Sequence, residues 1–139
     1  MIMNSKIIMA AIAGGIASFL LGWLVYGILL VDFMTENTMY YANLMKDPPN
    51  MITLFASGIF WSALYAFIFH KWAHINSFMG GVKAGLPLAL LINLANYSSM
   101  HAFFNLYTRT WLVTDTIIAS LFFTLIAGII GATLGMGKK

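Results

Sequence analysis

Four long runs without a charged residue, 7–31, 48–70, 84–108 and 116–137, leave this chain few ways to fold. A helix rises about 1.5 Å per residue and a hydrocarbon core is about 30 Å thick, so about 20 apolar residues cross it. Each run holds 22 to 25 residues. The other spanning form, a β-barrel, needs strands of about ten residues that alternate apolar and polar. No such alternation is present. The pattern predicts an all-α integral membrane four-helix bundle. Its spans are expected over 7–31, 51–70, 84–107 and 116–137, in a single transmembrane domain covering 1–139.

Composition closes the alternatives. Only 8% of the 139 residues are charged, 61% are hydrophobic and the mean hydropathy is +0.88. A soluble domain carries about 25% charged residues, so this surface would not stay in water. Disorder needs low hydrophobicity and high charge, the opposite of this chain. Cysteine is absent, which removes disulfides, thiolate metal sites and iron–sulfur clusters from consideration.

The charges that remain give an orientation. Lys6, Lys71, Lys83, Lys138 and Lys139 fall on one side of four spans with no acidic residue among them. Lys46 and Arg109 share the other side with Asp32, Glu36, Asp47 and Asp115. The positive-inside rule then places both termini in the cytoplasm. The +3 net charge reflects this lysine bias and is no nucleic-acid footprint, because no basic stripe with interleaved aromatics accompanies it. Met1–Lys6 and the run that follows resemble a signal peptide, but the run exceeds the usual h-region and ends in Leu29-Leu30-Val31-Asp32. The first helix is expected to be retained.

The first outer loop, 32–50, is the longest connection and is rich in methionine and tyrosine. Thr38 is positioned to cap a short interfacial helix over 39–46 that Pro48-Pro49 would stop. A lid over an opening beneath is the functional alternative. Pro87 is expected in the first turn of the third span, with Gly80-Gly81 in the connection before it and Trp72 as an interfacial anchor. Small residues recur at four-residue spacing, as Gly14, Ser18 and Gly22 and again as Ala127, Gly131 and Gly135. Such spacing lets helices approach closely, and packing within the chain is favoured over a dimer seam.

The third span departs from an ordinary apolar helix. Asn93, Tyr97, His101 and Asn105 stand at four-residue spacing, and Asn96 lies about 60° to the other side of Asn93. Polar groups at this depth face the bundle or a water-filled cavity rather than lipid. They act either as interhelical hydrogen-bond glue, worth about 0.6 kcal/mol each, or as the lining of a ligand site. Tyr26, Ser57, Ser120 and Thr124 fall in the same half of the membrane, with Asp32 and Asp115 at the outer rim. Together these residues suggest a crevice opening outward, floored by Asn93, Asn96 and Tyr97, with His101 part-way up.

Other chemistry is thin. His70 and His74 have metal-ligand spacing but no carboxylate on their side, and a bis-histidine haem lacks a second histidine within a span. Ser120, His101 and Asp115 can be drawn as a triad, but no nucleophile-elbow or zincin motif is present. No membrane-embedded carboxylate is expected for a proton exchanger. Neither a metal, a cofactor nor a catalytic site is expected.

Gly22-Trp-Leu-Val-Tyr-Gly27, the Met/Tyr-rich outer loop and the terminal Gly-Ala-Thr-Leu-Gly-Met-Gly-Lys-Lys resemble small four-helix bacterial inner-membrane proteins of a domain of unknown function. The resemblance implies a bacterial inner membrane and carries no site residues. Two functions stay open. One is binding or translocation of a small polar or amphipathic ligand, with conduction needing a homo-oligomer. The other is an accessory subunit that packs in a larger membrane complex or organises membrane lipid.

Overall fold

Asn4, Asn50, Ser77 and Thr108 each turn a side-chain oxygen onto a backbone N–H of the turn that follows, and each starts a long helix. These caps satisfy donors that have no partner within the helix. The computed structural model describes residues 4–137. Helix α1 covers Ser5–Leu24 and continues as a π-helical turn, Val25–Leu29. A short α2 covers Val31–Glu36, and α3, α4 and α5 cover Met51–Lys71, Phe78–Phe103 and Arg109–Gly135. Four helices, of 25 (with the π turn), 21, 26 and 27 residues, are long and apolar enough to cross a membrane. Among the described residues there is no strand, only an isolated bridge.

The boundaries differ from those expected. α4 and α5 begin at Phe78 and Arg109 rather than at 84 and 116, because Ser77 and Thr108 set their starts. Lys83, Arg109 and Asp115 therefore belong to helices, and Gly80-Gly81 is helical rather than a connection. Pro87 lies in the interior of α4 and not in its first turn. The Lys138-Lys139 pair, counted in the charge asymmetry, lies outside the described residues.

The interfacial helix over 39–46 does not form; the helical turn of this loop is α2, upstream of it. Thr38 has other partners. Its hydroxyl donates back to the Met34 carbonyl at 2.7 Å, and its backbone pairs with Tyr107. Met39 N–H donates to Leu106 O and Thr108 N–H to Asn37 O. Asn43 adopts a left-handed conformation, φ 62°, which interrupts a helix. The long loop is thus clasped to the α4–α5 connection.

At the opposite end of the bundle Asn4 Nδ2 lies 3.3 Å from His70 Nε2, and Lys6 Nζ donates to Met136 O at 3.3 Å. The bundle thus has a clasped end and, opposite it, a terminal end. α5 is the central helix. Half of its most apolar stretch is buried, against 22–28% for the other three. The extensive interfaces are α4 on α5, α1 on α3 and α1 on α5, with a smaller one between α3 and α5. α3 and α4 have no extensive interface with each other, so a wedge opens between them over α5.

Small residues make these contacts close. A Cβ placed on Gly14 would lie 2.7 Å from Ser62 Oγ and 2.8 Å from Ile130 Cγ1. One on Gly81 would collide with the Ala127 carbonyl oxygen. The small residues of α1 and α5 therefore serve packing within the chain. Around them Ile7, Ala10, Tyr65, Ala66, Phe69, Ile126, Ile130 and Leu134 form the core. Leu20, Phe60, Leu91, Val113 and Leu121 point outward, as lipid-facing side chains do.

Candidate functional site

Asp115, expected at the outer rim, is buried within the bundle near the clasped end. α5 starts at Arg109, so Asp115 falls in its second turn, where α1 and α4 both reach it, and it is only 5% exposed. Tyr26 donates its hydroxyl to Oδ1 at 2.8 Å, and Tyr97 donates to Oδ2. A carboxylate with each oxygen accepting a hydroxyl is held on both sides. The chain thus places a carboxylate buried between three helices, in the second turn of a helix long enough to cross a membrane.

Local folding explains Tyr26. At Val25–Leu29 α1 widens into a π-helical turn that contains Tyr26, a feature frequent at functional sites. The Tyr26 ring meets Phe122 edge-on at 6.2 Å, which fixes its direction along α5. Asp115 therefore ties α1, α4 and α5 together near the clasped end.

From the next residue toward the terminal end, the hydroxyls of Thr116, Ser120 and Thr124 each donate to the carbonyl four residues earlier, those of Leu112, Thr116 and Ser120. That back-bonding satisfies a hydroxyl without a second helix. Ser120 Oγ also accepts from Asn93 Nδ2 at 3.3 Å. Asn93 and Tyr97 are thus the two members of the α4 stripe that face α5. The stripe drifts by about 40° at each four-residue step, so His101 is exposed, and Asn105 lies beyond the end of α4, also exposed.

Asn93 and Asn96 line a cavity of about 130 Å³ in the wedge between α3 and α4. Its walls are Trp61 and Tyr65 of α3, Ala89 and Ile92 of α4, and Phe123 of α5. Trp61 and Phe123 touch, with ring centroids 6.0 Å apart. Tyr65 is 4% exposed, yet its hydroxyl and the Asn96 amide make no hydrogen bond among the described residues. The expected floor of Asn93, Asn96 and Tyr97 is therefore divided. The two amides border the cavity, and Tyr97 turns to Asp115.

Other expected members stand apart. Ser57 is exposed and borders a shallow hollow on the outside of α3 with Thr53 and Phe60. Asp32 is exposed on α2. Thr124 is buried in the α4–α5 seam beside Gly85. No hydrogen bond joins Ser120, His101 and Asp115. His74 lies past the end of α3 with φ 52°, so the helical pairing expected with His70 is not made. Among the described residues no cluster of three or more His, Cys, Asp or Glu is placed to hold a metal.

Trp61, Tyr65 and Phe123 were not anticipated. The available signal was depth: Trp61 is at the midpoint of α3 and Asn93 near that of α4, with Trp61 and Tyr65 one helical turn apart on one face. No family model, curated protein or solved structure matches the chain.

Proposed function

We propose that this chain is a small membrane protein that binds a small polar molecule, or the polar head of an amphiphile, in the cavity between α3 and α4, and that translocation follows from the same site. The observation that carries this reading is the Tyr65 hydroxyl, which makes no hydrogen bond on a residue only 4% exposed, with the exposed Asn96 amide bordering the same cavity. Polar groups within a membrane span are costly without a partner, and a bound molecule supplies one. The cavity is smaller than the 300–1,000 Å³ typical of drug-sized ligands. It suits a compact head, and the unpacked gap between α3 and α4 gives a tail a way out to lipid.

The lysine asymmetry supports an orientation with both termini cytoplasmic and the clasped end outside. The resemblance to small four-helix bacterial proteins supports an inner-membrane location. The reading is of a binding protein without catalysis. A homo-oligomer is the form in which four helices would surround a conducting path.

Native mass spectrometry of the protein, extracted gently from its own membrane, tests this. A reproducible small mass that disappears in Asn96→Leu and Tyr65→Phe is the expected result. One specific feature favours a second reading as an accessory subunit. α4 packs extensively on α5 alone, leaving the wedge open to a helix from another chain. Capture of a stoichiometric foreign subunit, lost in the same variants, would replace the ligand reading. A bare monomer would overturn both.

A further inference from the structure

A second groove, of about 410 Å³, runs along the α4–α5 surface toward the clasped end. It is distinct from the cavity. Its Leu94 and His101 stand about 160° and 140° around α4 from Asn96. Arg109 and His101 line its upper part, and Leu94, Leu112 and Val113 line its walls. The helices are antiparallel, so residues 94 and 116 lie about 10 Å deeper along the axis than residues 101 and 109.

Neither Arg109 nor His101 has an ion pair or side-chain hydrogen bond among the described residues. The level at which they sit is marked by neighbours. Phe103 is 80% exposed, Phe104 57% and, on the clasped loop, Tyr40 90%. Tyrosine, with its polar hydroxyl, belongs at the boundary between hydrocarbon and headgroups, which sets the level of Tyr40.

We infer that the α4–α5 groove is a binding site for an anionic phospholipid. Its phosphate meets Arg109 and His101, and an acyl chain lies along Leu94, Leu112 and Val113. Charge complementarity selects the head. A guanidinium offers a fork of donors suited to phosphate oxygens, and no acidic side chain lines this groove. Below the basic pair the groove offers Leu94, Leu112 and Val113 with the hydroxyl residues Tyr97, Ser98 and Thr116 among them. Tyr97 and Thr116 already donate to Asp115 and to Leu112 O, so the surface left for an occupant suits an acyl chain better than a free anion. This site is independent of the ligand proposed for the α3–α4 cavity.

The purified protein in detergent, mixed with equal amounts of phosphatidylglycerol and phosphatidylcholine, is read by native mass spectrometry. The expected result is one retained phosphatidylglycerol per chain, favoured about fivefold over phosphatidylcholine, as one basic residue near a membrane surface provides. Arg109→Gln brings the two lipids level, and His101→Gln weakens the preference. Lys71→Gln, a charge lost at the other end of the bundle, leaves it intact. Equal retention of both lipids by the wild-type chain, or equal loss of preference in Lys71→Gln, overturns the site. Displacement of the lipid by millimolar inorganic phosphate overturns the lipid assignment, because the groove would then hold the anion alone.

Discussion

Tyr26 and Asp115 meet at 2.8 Å across the α1–α5 interface, and Tyr97 of α4 closes on the other carboxylate oxygen. Hydrogen bonds to a charged group contribute about 1.5–3 kcal/mol each. Tyr26→Phe and Tyr97→Phe should each destabilise the folded chain by an amount in that range. Asp115→Ala should cost more than either, since it strands two hydroxyls at once. Thermal unfolding in detergent measures the three. Once Asp115 is gone, adding Tyr26→Phe should cost little, because the bond it removes no longer exists. Full additivity would mean that the two residues do not interact.

Hydropathy made the number of long apolar helices legible, and the helices run past the charge-free stretches for a physical reason. A charge-free run locates the stretch that lipid tolerates, whereas a helix begins where a side chain satisfies its first N–H groups. Ser77 and Thr108 do this at six residues before Lys83 and at the residue before Arg109. The charge-free run begins at the residue after Asp115 and so leaves it at the rim, whereas α5 begins six residues before it. Its burial depends on Tyr26 and Tyr97, which lie far from it in sequence, and on a π-helical turn that composition does not announce. The polar stripe was legible for Asn93 and Tyr97, whose side chains meet α5. It failed at Asn105 because α4 ends at Phe103.

The α4–α5 contact should be intolerant of one methyl group. Alanine at Gly81 would drive a Cβ into the backbone of Ala127, and backbone cannot rotate away. Overpacking of this kind costs about 1–3 kcal/mol, enough to part the two helices at the terminal end. Gly22→Ala is the matched control. Its nearest neighbour would be Phe122 Cζ at 3.9 Å, an ordinary contact, and alanine is the better helix former. The first variant should unfold at lower temperature than the wild type and the second at the same or a higher one. Equal midpoints for both would show that the close approach at Gly81 does not limit stability.

Thr108 does three things at the clasped end. Its hydroxyl accepts from Trp111 N–H at 3.1 Å and donates to Asn37 Oδ1 at 2.6 Å, and its own N–H donates to Asn37 O. Thr108→Val removes the first two and keeps the third and the shape. Loss of an N-cap costs about 0.5–2 kcal/mol. Hydrogen exchange should accelerate at the amides of Trp111 and Met39, the second because Met39 N–H is bonded across the clasp to Leu106. Thr108→Ser restores protection at both. Faster exchange at Trp111 alone would mean that the cap and the clasp are independent.

Ser62 and Ser120 are both buried, at 1% and 4% exposure, and should respond in opposite ways to alanine. Ser62 Oγ has no hydrogen-bond partner. It sits against Gly14 and close to Ile130, where a hydroxyl is desolvated without return. Ser120 Oγ donates to Thr116 O and accepts from Asn93. Ser62→Ala should therefore be neutral or raise stability by about 1 kcal/mol, the usual size of an uncompensated buried hydroxyl's penalty. Ser120→Ala leaves the Asn93 amide without its acceptor, and the cost should be about 1 kcal/mol or more. Chemical denaturation of the two variants in one detergent gives the comparison directly. A destabilising Ser62→Ala would mean that its hydroxyl has a partner in the membrane, at the α1–α3–α5 contact where Gly14 and Ile130 surround it.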